Sequence, residues 1–393
     1  MRFVTLYLPT ENVHLIKDVG MIPYKLHTNY GYHSSIATWQ NGSYPYLENE
    51  VKGLELFFVK KSIFGRIYDG MHFLKYEAAS IDILNIYHLN LASFLYERVY
   101  RRFNPMGKIY LKLDMNEKGY RDVFRYDPKG FIKRATIRGA DIVSVENTAM
   151  HEGLSKRFKD RIVFIPNGCF VENTSEKPDE ASEGKEGGSI TPPQKYPVVL
   201  TVGNLGTVEK ATDVLLKAFA ASALKHDLSL KLIGPVAPSF EPEIRKFYEE
   251  YPELEKRVTF TGPITDREEL RAHYQGARFF VLPSRSESFG IVLLEAASEG
   301  CYIIASEACC AAMDITKNGK YGTIVKTDDA EALSEAFCRL YNTPADSDQL
   351  RAEEIRYIRR YFSWDSITKK LHSSLQNAFE SGKDKLNPLR NIR

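Results

Sequence analysis

The sequence predicts an α/β protein built from two doubly wound parallel-sheet domains, and three observations carry that prediction. In residues 196–360, apolar runs of strand length (YPVVLTVGN, SLKLIG, VTFTG, RFFVLPS and CYIIAS) alternate with helix-length amphipathic stretches such as DVLLKAFAASALK and EIRKFYEEYPELEK. Strands buried on both faces have no polar side to show, so continuous apolar runs joined by helical crossovers indicate a parallel sheet covered by helices. Residues 1–172 repeat the pattern more weakly, with RFVTLYLP, HSSIATWQ, LELFFV, IDILNIYH, KIYLKLD, ADIVSVEN and RIVFIPNG as strands. Between the halves, residues 173–195 contain no large apolar side chain except Ile190. Such a segment cannot bury enough surface to offset its chain entropy and reads as a flexible polar linker. A length of 393 residues is ample for two cores.

Composition sets outer limits. Lys and Arg number 53 against 51 Asp and Glu, a net charge of +2, which argues against a nucleic-acid-coating protein. Residues 1–172 carry 24 basic and 18 acidic side chains, so the first half is the basic one. No apolar run approaches the roughly 20 residues that cross a bilayer, and MRFVTLYLPTEN reads as a first strand rather than a signal peptide. Five cysteines, an odd number without zinc-site spacing, point to free thiols in a reducing cytoplasm.

The most informative segment is PSRSESFGIVLLEAASEG, residues 283–300, which sets Glu287 and Glu295 eight positions apart around a strand-to-helix turn. If the helix begins near Phe289 and Gly290, its unbonded N–H groups face the end of the preceding strand, a site suited to phosphate. One acid can then reach a sugar and the other a ribose, on either side of a diphosphate. Taken alone, two such glutamates are more often a solvated loop acid and a partner for a nearby Lys. Lys210, in the loop after the domain's first strand, could neutralise a diphosphate, although an isolated lysine there is ordinarily solvated. Ligands of open α/β sheets bind beyond the carboxyl ends of the strands, so the cleft between two such domains is the expected site.

This segment closely resembles the E-x7-E signature of the group 1 (family 4) retaining glycosyltransferases. VGNLGTVEKATDVLLKAF at 202–219, KLIG at 231–234, VTFTG at 258–262, ARFFVLPS at 277–284 and FSWDSITKKL at 362–371 match in the same order. The resemblance is specific over 196–380 and loose over 1–172. It implies the GT-B architecture, two Rossmann-like domains facing across a cleft. The acceptor-side domain would be 1–172 and the nucleotide-sugar donor domain 196–360. A helix at 361–380 would cross back to the first domain, leaving a tail at 381–393.

The resemblance also implies transfer of a hexose or N-acetylhexosamine, with retention, from a nucleotide-diphosphate sugar to a glycan or lipid-linked acceptor. UDP-sugar is the family-weighted donor, surface polysaccharide or glycoconjugate synthesis the setting, and no metal or other cofactor is required. Carried over residue by residue, it implies that Glu287 binds donor-sugar hydroxyls, Lys210 faces the diphosphate and Glu295 binds the ribose. Gly203, Asn204, Gly262, Ser288, Phe289, Gly290 and Ile291 would line the donor site. KDVG, with Lys17, Asp18 and Gly20, resembles the family's loop near the donor phosphates. Asp114 stands where relatives often aim a His or Asp at the acceptor; His88 is a weaker candidate, and Asn167 and Gly168 would shape the hinge. The sequence offers no obvious nucleophile, which favours the front-face route in which a diphosphate oxygen takes the acceptor proton.

The chain departs from the family pattern at three places. Asn204 stands where many relatives carry Arg, Ala211 where Gly is usual, and SEACCAAMDIT at 306–316 where a glycine pair precedes Pro-Glu, with Asp314 as the stand-in acid. Asp346-Ser347-Asp348 has the D-x-D form of metal-binding transferases but precedes a helix and reads as a cap. LASFLYERVYRRFN at 91–104 sets Leu91, Phe94, Leu95, Val99 and Phe103 at helical spacing, most simply as a core face. The alternative, with Arg98, Arg101 and Arg102 resting on anionic lipid, makes peripheral membrane contact through the basic N-terminal domain an expectation. Two competing readings are a nucleotide-sugar epimerase and, because of Asn204 and the Cys309-Cys310 loop, a non-catalytic sugar-nucleotide-binding scaffold.

Overall fold

The computed structural model describes residues 1–170, 191–342 and 348–386, with side chains to residue 380. Of the linker expected at 173–195, residues 173–190 lie outside the described residues, as do Asp346 and Ser347 of the D-x-D triplet and the tail beyond 386. The chain divides into two compact units, 1–168 with 364–393 and 169–363.

The first unit holds seven strands: β1 (Arg2–Leu6), β2 (His33–Thr38), β3 (Glu55–Phe58), β4 (Ile83–Tyr87), β5 (Lys108–Lys112), β6 (Ile142–Val145) and β7 (Ile162–Phe164). They pair in parallel in the order β3-β2-β1-β4-β5-β6-β7. The second unit holds β8 (Tyr196–Val202), β9 (Ser229–Ile233), β10 (Val258–Gly262), β11 (Ala277–Leu282), β12 (Tyr302–Ser306) and β13 (Gly322–Val325), in the order β10-β9-β8-β11-β12-β13. Both are doubly wound Rossmann-like sheets. In each, the strand order reverses beside the first strand, between β1 and β4 and between β8 and β11, and ligands of such sheets bind at that reversal.

The apolar runs of the second unit are continuous because both sheet faces are buried. Val199, Phe279 and Ile304 pack into one cluster while their neighbours Leu200, Phe280 and Ile303 pack into the other. β13 was not among the strand candidates. It is a short edge strand containing Gly322, where a Cβ would sit 2.6 Å from the Ile303 carbonyl oxygen.

Helix Trp364–Leu386 packs on the first unit through Trp364, Ile367, Leu371 and Leu375, whose 3-4-4 spacing aligns them on one face. Gly168 leaves room for the Trp364 indole, since a Cβ there would lie 2.5 Å from the ring. Lys25 and Asn29 of helix Asp18–Tyr30 both bind Asp365, at 2.9 and 2.7 Å. Of the linker call, only residues 191–195 are described, and there Lys195 is already anchored to the carbonyls of Tyr274 and Glu299 at 3.0 and 2.7 Å.

One expectation is corrected. Helix Leu91–Phe103 does not bury its Leu91, Phe94, Leu95, Val99 and Phe103 stripe; the buried residues are Ala92, Ser93, Tyr96, Glu97 and Tyr100. The reason lies in the neighbours. Gly70, Gly107 and Gly139 lack the Cβ atoms that would fall 2.4, 2.0 and 1.5 Å from Tyr96, Tyr100 and Glu97. Three glycines therefore make room for three large polar side chains, and Leu91 and Phe103 are left at the surface. Arg101 binds Asp141 and the Gly107 carbonyl, while Arg98 and Arg102 are exposed.

Candidate functional site

Lys210 and Glu287 come from the loops that follow β8 and β11, the two strands flanking the reversal of the second sheet. The Lys210 ammonium donates to the Glu287 carboxylate, and both side chains are only partly exposed. The loop after β8 can curl over the sheet because Gly234 has no side chain: a Cβ there would sit 1.9 Å from the Gly203 carbonyl oxygen. The stem of Lys210 lies across Gly203, its Cε 3.6 Å from where a Cβ would stand. Gly203 donates to the Ile233 carbonyl at 3.0 Å and Gly234 to that of Gly262 at 2.9 Å, tying together the carboxyl ends of β8, β9 and β10. Asn204 is exposed in the same loop.

Helix Ile291–Ser298 starts at Gly290, which adopts the left-handed conformation at φ 79° and offers no capping side chain. A Cβ there would meet Leu282, Leu293 and Glu287 at 3.0 to 3.3 Å, so a larger residue is disfavoured by both shape and backbone. Phe289 is buried and fixes the turn, Ser288 and Ile291 are half-buried, and the helix start adjoins Glu287 in sequence. First-turn N–H groups have no partner within the helix, which gives this end its affinity for anions. Glu295 accepts a hydrogen bond from Tyr274 at 2.8 Å. Burial, reinforced by Glu295, pushes the Tyr274 hydroxyl well above its ordinary pKa, so it remains a donor.

Arg285 was not singled out in the sequence, yet it joins the two loops. Its guanidinium binds Asp213 at 2.7 Å, Asp328 at 2.5 Å and the Val208 carbonyl at 2.9 Å, while its backbone N–H donates to Glu209 at 2.7 Å. Lys210 is thus held from both sides of its turn. Ala211, immediately after it, is buried with φ 50°, where L-residues are strained.

The unusual cysteine loop packs directly behind Glu287. Glu287 pairs with Cys309 in a parallel bridge, donates to Ala308 and accepts from Cys310, both at 3.2 Å. Burial pushes the Cys309 thiol up to about 12, which makes it a packing group rather than a nucleophile. Among the described residues no two cysteines are joined by a disulfide. Asp314 lies on the short helix Ala312–Ile315, where its carbonyl accepts from Tyr357 at 2.7 Å.

In the first unit, the remaining candidates follow β1, β4, β5 and β7. Lys112, fully buried at the end of β5, binds Glu146 and lies 3.6 Å from Asp18. Burial opposes its charge, but the two acids outweigh that and hold its pKa above the usual lysine value. Neither Lys112 nor Glu146 was identified from the sequence; a charged residue closing an otherwise apolar strand was the available signal. Asp114 is exposed two residues beyond Lys112. Tyr7 is raised by burial and by the fields of Asp18 and Asp114, which puts these groups in one neighbourhood. His88 sits at φ 63° with its ring 6.3 Å from that of Tyr7. Lys17 is exposed, and Gly20 serves a local need: a Cβ there would lie 2.1 Å from the Leu15 carbonyl oxygen. Among the described residues, no group of three or more His, Cys, Asp or Glu could hold a metal, and no helix is long and apolar enough to cross a membrane.

Comparisons with known proteins bear on the family and the fold. Residues 196–343 match the family model described as Glycosyl transferases group 1. The chain is 29% identical over 248 residues to D-inositol 3-phosphate glycosyltransferase of Corynebacterium glutamicum, covering 61% of this chain and 58% of that protein. The corresponding protein of Corynebacterium urealyticum is 27% identical over 267 residues, 64% of this chain and 61% of the relative. The chain thus spans somewhat under two thirds of these relatives. Among solved structures, sucrose-phosphate synthase from Thermosynechococcus elongatus superposes with a TM-score of 0.69 at 20% identity, covering 97% of this chain and 99% of the other. Anabaena HepE in complex with UDP gives a TM-score of 0.70 at 15% identity, covering 96% and 100%. These likenesses establish the two-domain Rossmann-like GT-B fold.

Proposed function

Because residues 196–343 belong to the group 1 glycosyl transferases, we propose that the protein is a retaining glycosyltransferase that uses a nucleotide-diphosphate sugar, with UDP-sugar as the donor. The observation that carries the reading is the Lys210–Glu287 pair beside the uncapped start of helix Ile291–Ser298, at the strand-order reversal of the second sheet. A cation and a set of aimed N–H groups suit a diphosphate, whose charge grows as the glycosidic bond breaks, and such groups act most where charge develops. Glu287 serves as acceptor for sugar hydroxyls while keeping Lys210 in place until donor enters. Glu295, oriented by Tyr274, takes the ribose. The similar fold of Anabaena HepE, solved with UDP and with UDP-glucose, supports this choice of donor.

With no side chain identified as a nucleophile, the route is front-face displacement in which a leaving-diphosphate oxygen removes the acceptor proton. No resident metal or other cofactor is needed, since Lys210 and the helix start supply the positive field. The acceptor is a glycan or lipid-linked saccharide taken up by the first unit, where Asp114, Asp18 and His88 can bind hydroxyls. Five cysteines without a disulfide, three of them buried, fit the reducing conditions of the cytoplasm.

A thermal-shift screen with UDP, GDP, ADP and TDP, with and without EDTA, tests the donor assignment. A nucleotide at about 100 times its Kd stabilises the folded state by roughly 2.7 kcal/mol. A shift with UDP that survives EDTA and shrinks in Lys210→Ala supports the reading. No shift with any nucleotide returns the weight to the non-catalytic scaffold.

A further inference from the structure

The exposed side of helix Gly65–Glu77 and the loop before it carry a row of aromatic and apolar side chains that serves neither core nor site. Ile63 is 95% exposed and Phe64 69%. From Phe64 the rings continue at every fourth position: Phe64 lies 4.9 Å from Tyr68, Tyr68 is 5.9 Å from His72, and His72 is 4.9 Å from Tyr76. The loop tip is fixed in its outward position. Buried Asp69 accepts from the Ser62 backbone at 3.0 Å, from the Ser62 hydroxyl and from the Trp39 indole at 3.1 Å. The Ser62 oxygen in turn accepts from the Phe64 N–H at 3.1 Å. A loop braced by a buried carboxylate cannot fold Ile63 and Phe64 inward.

The charge around the row is mainly positive. Residues 59–77 contain Lys60, Lys61, Arg66 and Lys75 against two acids, the buried Asp69 and Glu77, which is paired with Arg2 at 3.5 Å. All four cations are exposed. Lys75 lies over Tyr76 of the row at 5.2 Å, and Lys61 lies over Trp39, whose indole binds the same Asp69, at 5.0 Å. Rings at headgroup depth, an apolar tip and a cationic border are the elements by which a short helix lies in a membrane interface.

We propose that the segment Lys60–Tyr76 seats the first unit on an anionic lipid surface, with Ile63 and Phe64 inserted and the lysines against lipid phosphates. This is independent of the transferase reading. It is separate from the lipid contact expected on helix Leu91–Phe103, of whose three arginines only Arg101 is engaged with Asp141.

The test is co-sedimentation of the full chain with phosphatidylcholine vesicles with and without phosphatidylglycerol. Binding is expected only with phosphatidylglycerol and should weaken as salt rises from about 0.1 M to about 0.5 M. The double variant Ile63→Ser, Phe64→Ser should bind about tenfold more weakly, and Lys60→Glu with Lys61→Glu should lose the salt-sensitive component. Both variants alter exposed side chains, and unchanged melting midpoints confirm that they fold. Absence of binding to phosphatidylglycerol vesicles, or equal binding by the double variants, overturns the proposal. So does a concentration-dependent self-association abolished by Ile63→Ser, Phe64→Ser without vesicle binding, which would assign the row to a protein contact.

Discussion

Arg285 shows how a single side chain can set the geometry of a site without facing a ligand. Its planar fork meets Asp213, Asp328 and the Val208 carbonyl together, and a lysine can satisfy only part of that set. Arg285→Ala is expected to lower kcat/KM about 10- to 100-fold through misplacement of Lys210, with Arg285→Lys restoring little. Steady-state kinetics with melting curves checks this; an unchanged kcat/KM would contradict the clamp. Ala211 presents the opposite case, a residue whose backbone is strained for packing reasons. At φ 50° the left-handed conformation costs an alanine about 1–2 kcal/mol relative to glycine, partly offset by the greater freedom of an unfolded glycine. Ala211→Gly should therefore stabilise the protein by about 0.5–1 kcal/mol, a rise of a few degrees in melting midpoint. A lower midpoint would show that the turn is not strained.

At the scale of the element, helix Leu91–Phe103 is defined by what its neighbours omit. Gly70→Ala would put a Cβ 2.4 Å from the Tyr96 ring, and overpacking of that kind costs about 1–3 kcal/mol, measurable by denaturant unfolding. The same helix contains a pH-dependent group. Burial pushes the Glu97 carboxyl up to about 7, and its Oε2 atom has no hydrogen-bond partner. Because the folded state holds this proton more tightly than the unfolded chain, its stabilising contribution is complete below the ordinary carboxylate pKa and is lost as pH rises through about 7. Stability should fall on the order of 2 kcal/mol between pH 5 and pH 8 on this account, and Glu97→Gln should flatten the dependence. Parallel pH profiles for the two proteins would decide it, and identical slopes would contradict the assignment.

For the whole molecule, both sheets were legible because strand-length apolar runs separated by helical periodicity leave few other arrangements. The Glu287 to Glu295 spacing, read with its glycine, located the strand-to-helix turn of the second unit. What escaped the sequence depends on long-range approach. Arg285 and Asp328 lie 43 positions apart, β13 is only four residues long and opens with a glycine, and the three glycines that admit Tyr96, Glu97 and Tyr100 act from outside the helix that carries them. Lys112 was hidden inside a strand, where its charge makes sense only once Glu146 and Asp18 are beside it. The central claim is that the Glu287–Lys210 pair carries donor chemistry rather than merely closing a loop. Its most direct test is the rate of nucleoside diphosphate release from UDP-sugars by Glu287→Gln, compared with the unaltered protein at equal melting midpoint. A fall of about 100-fold or more is predicted, in line with loss of a group that contacts the reacting sugar, whereas an unchanged rate would contradict the assignment.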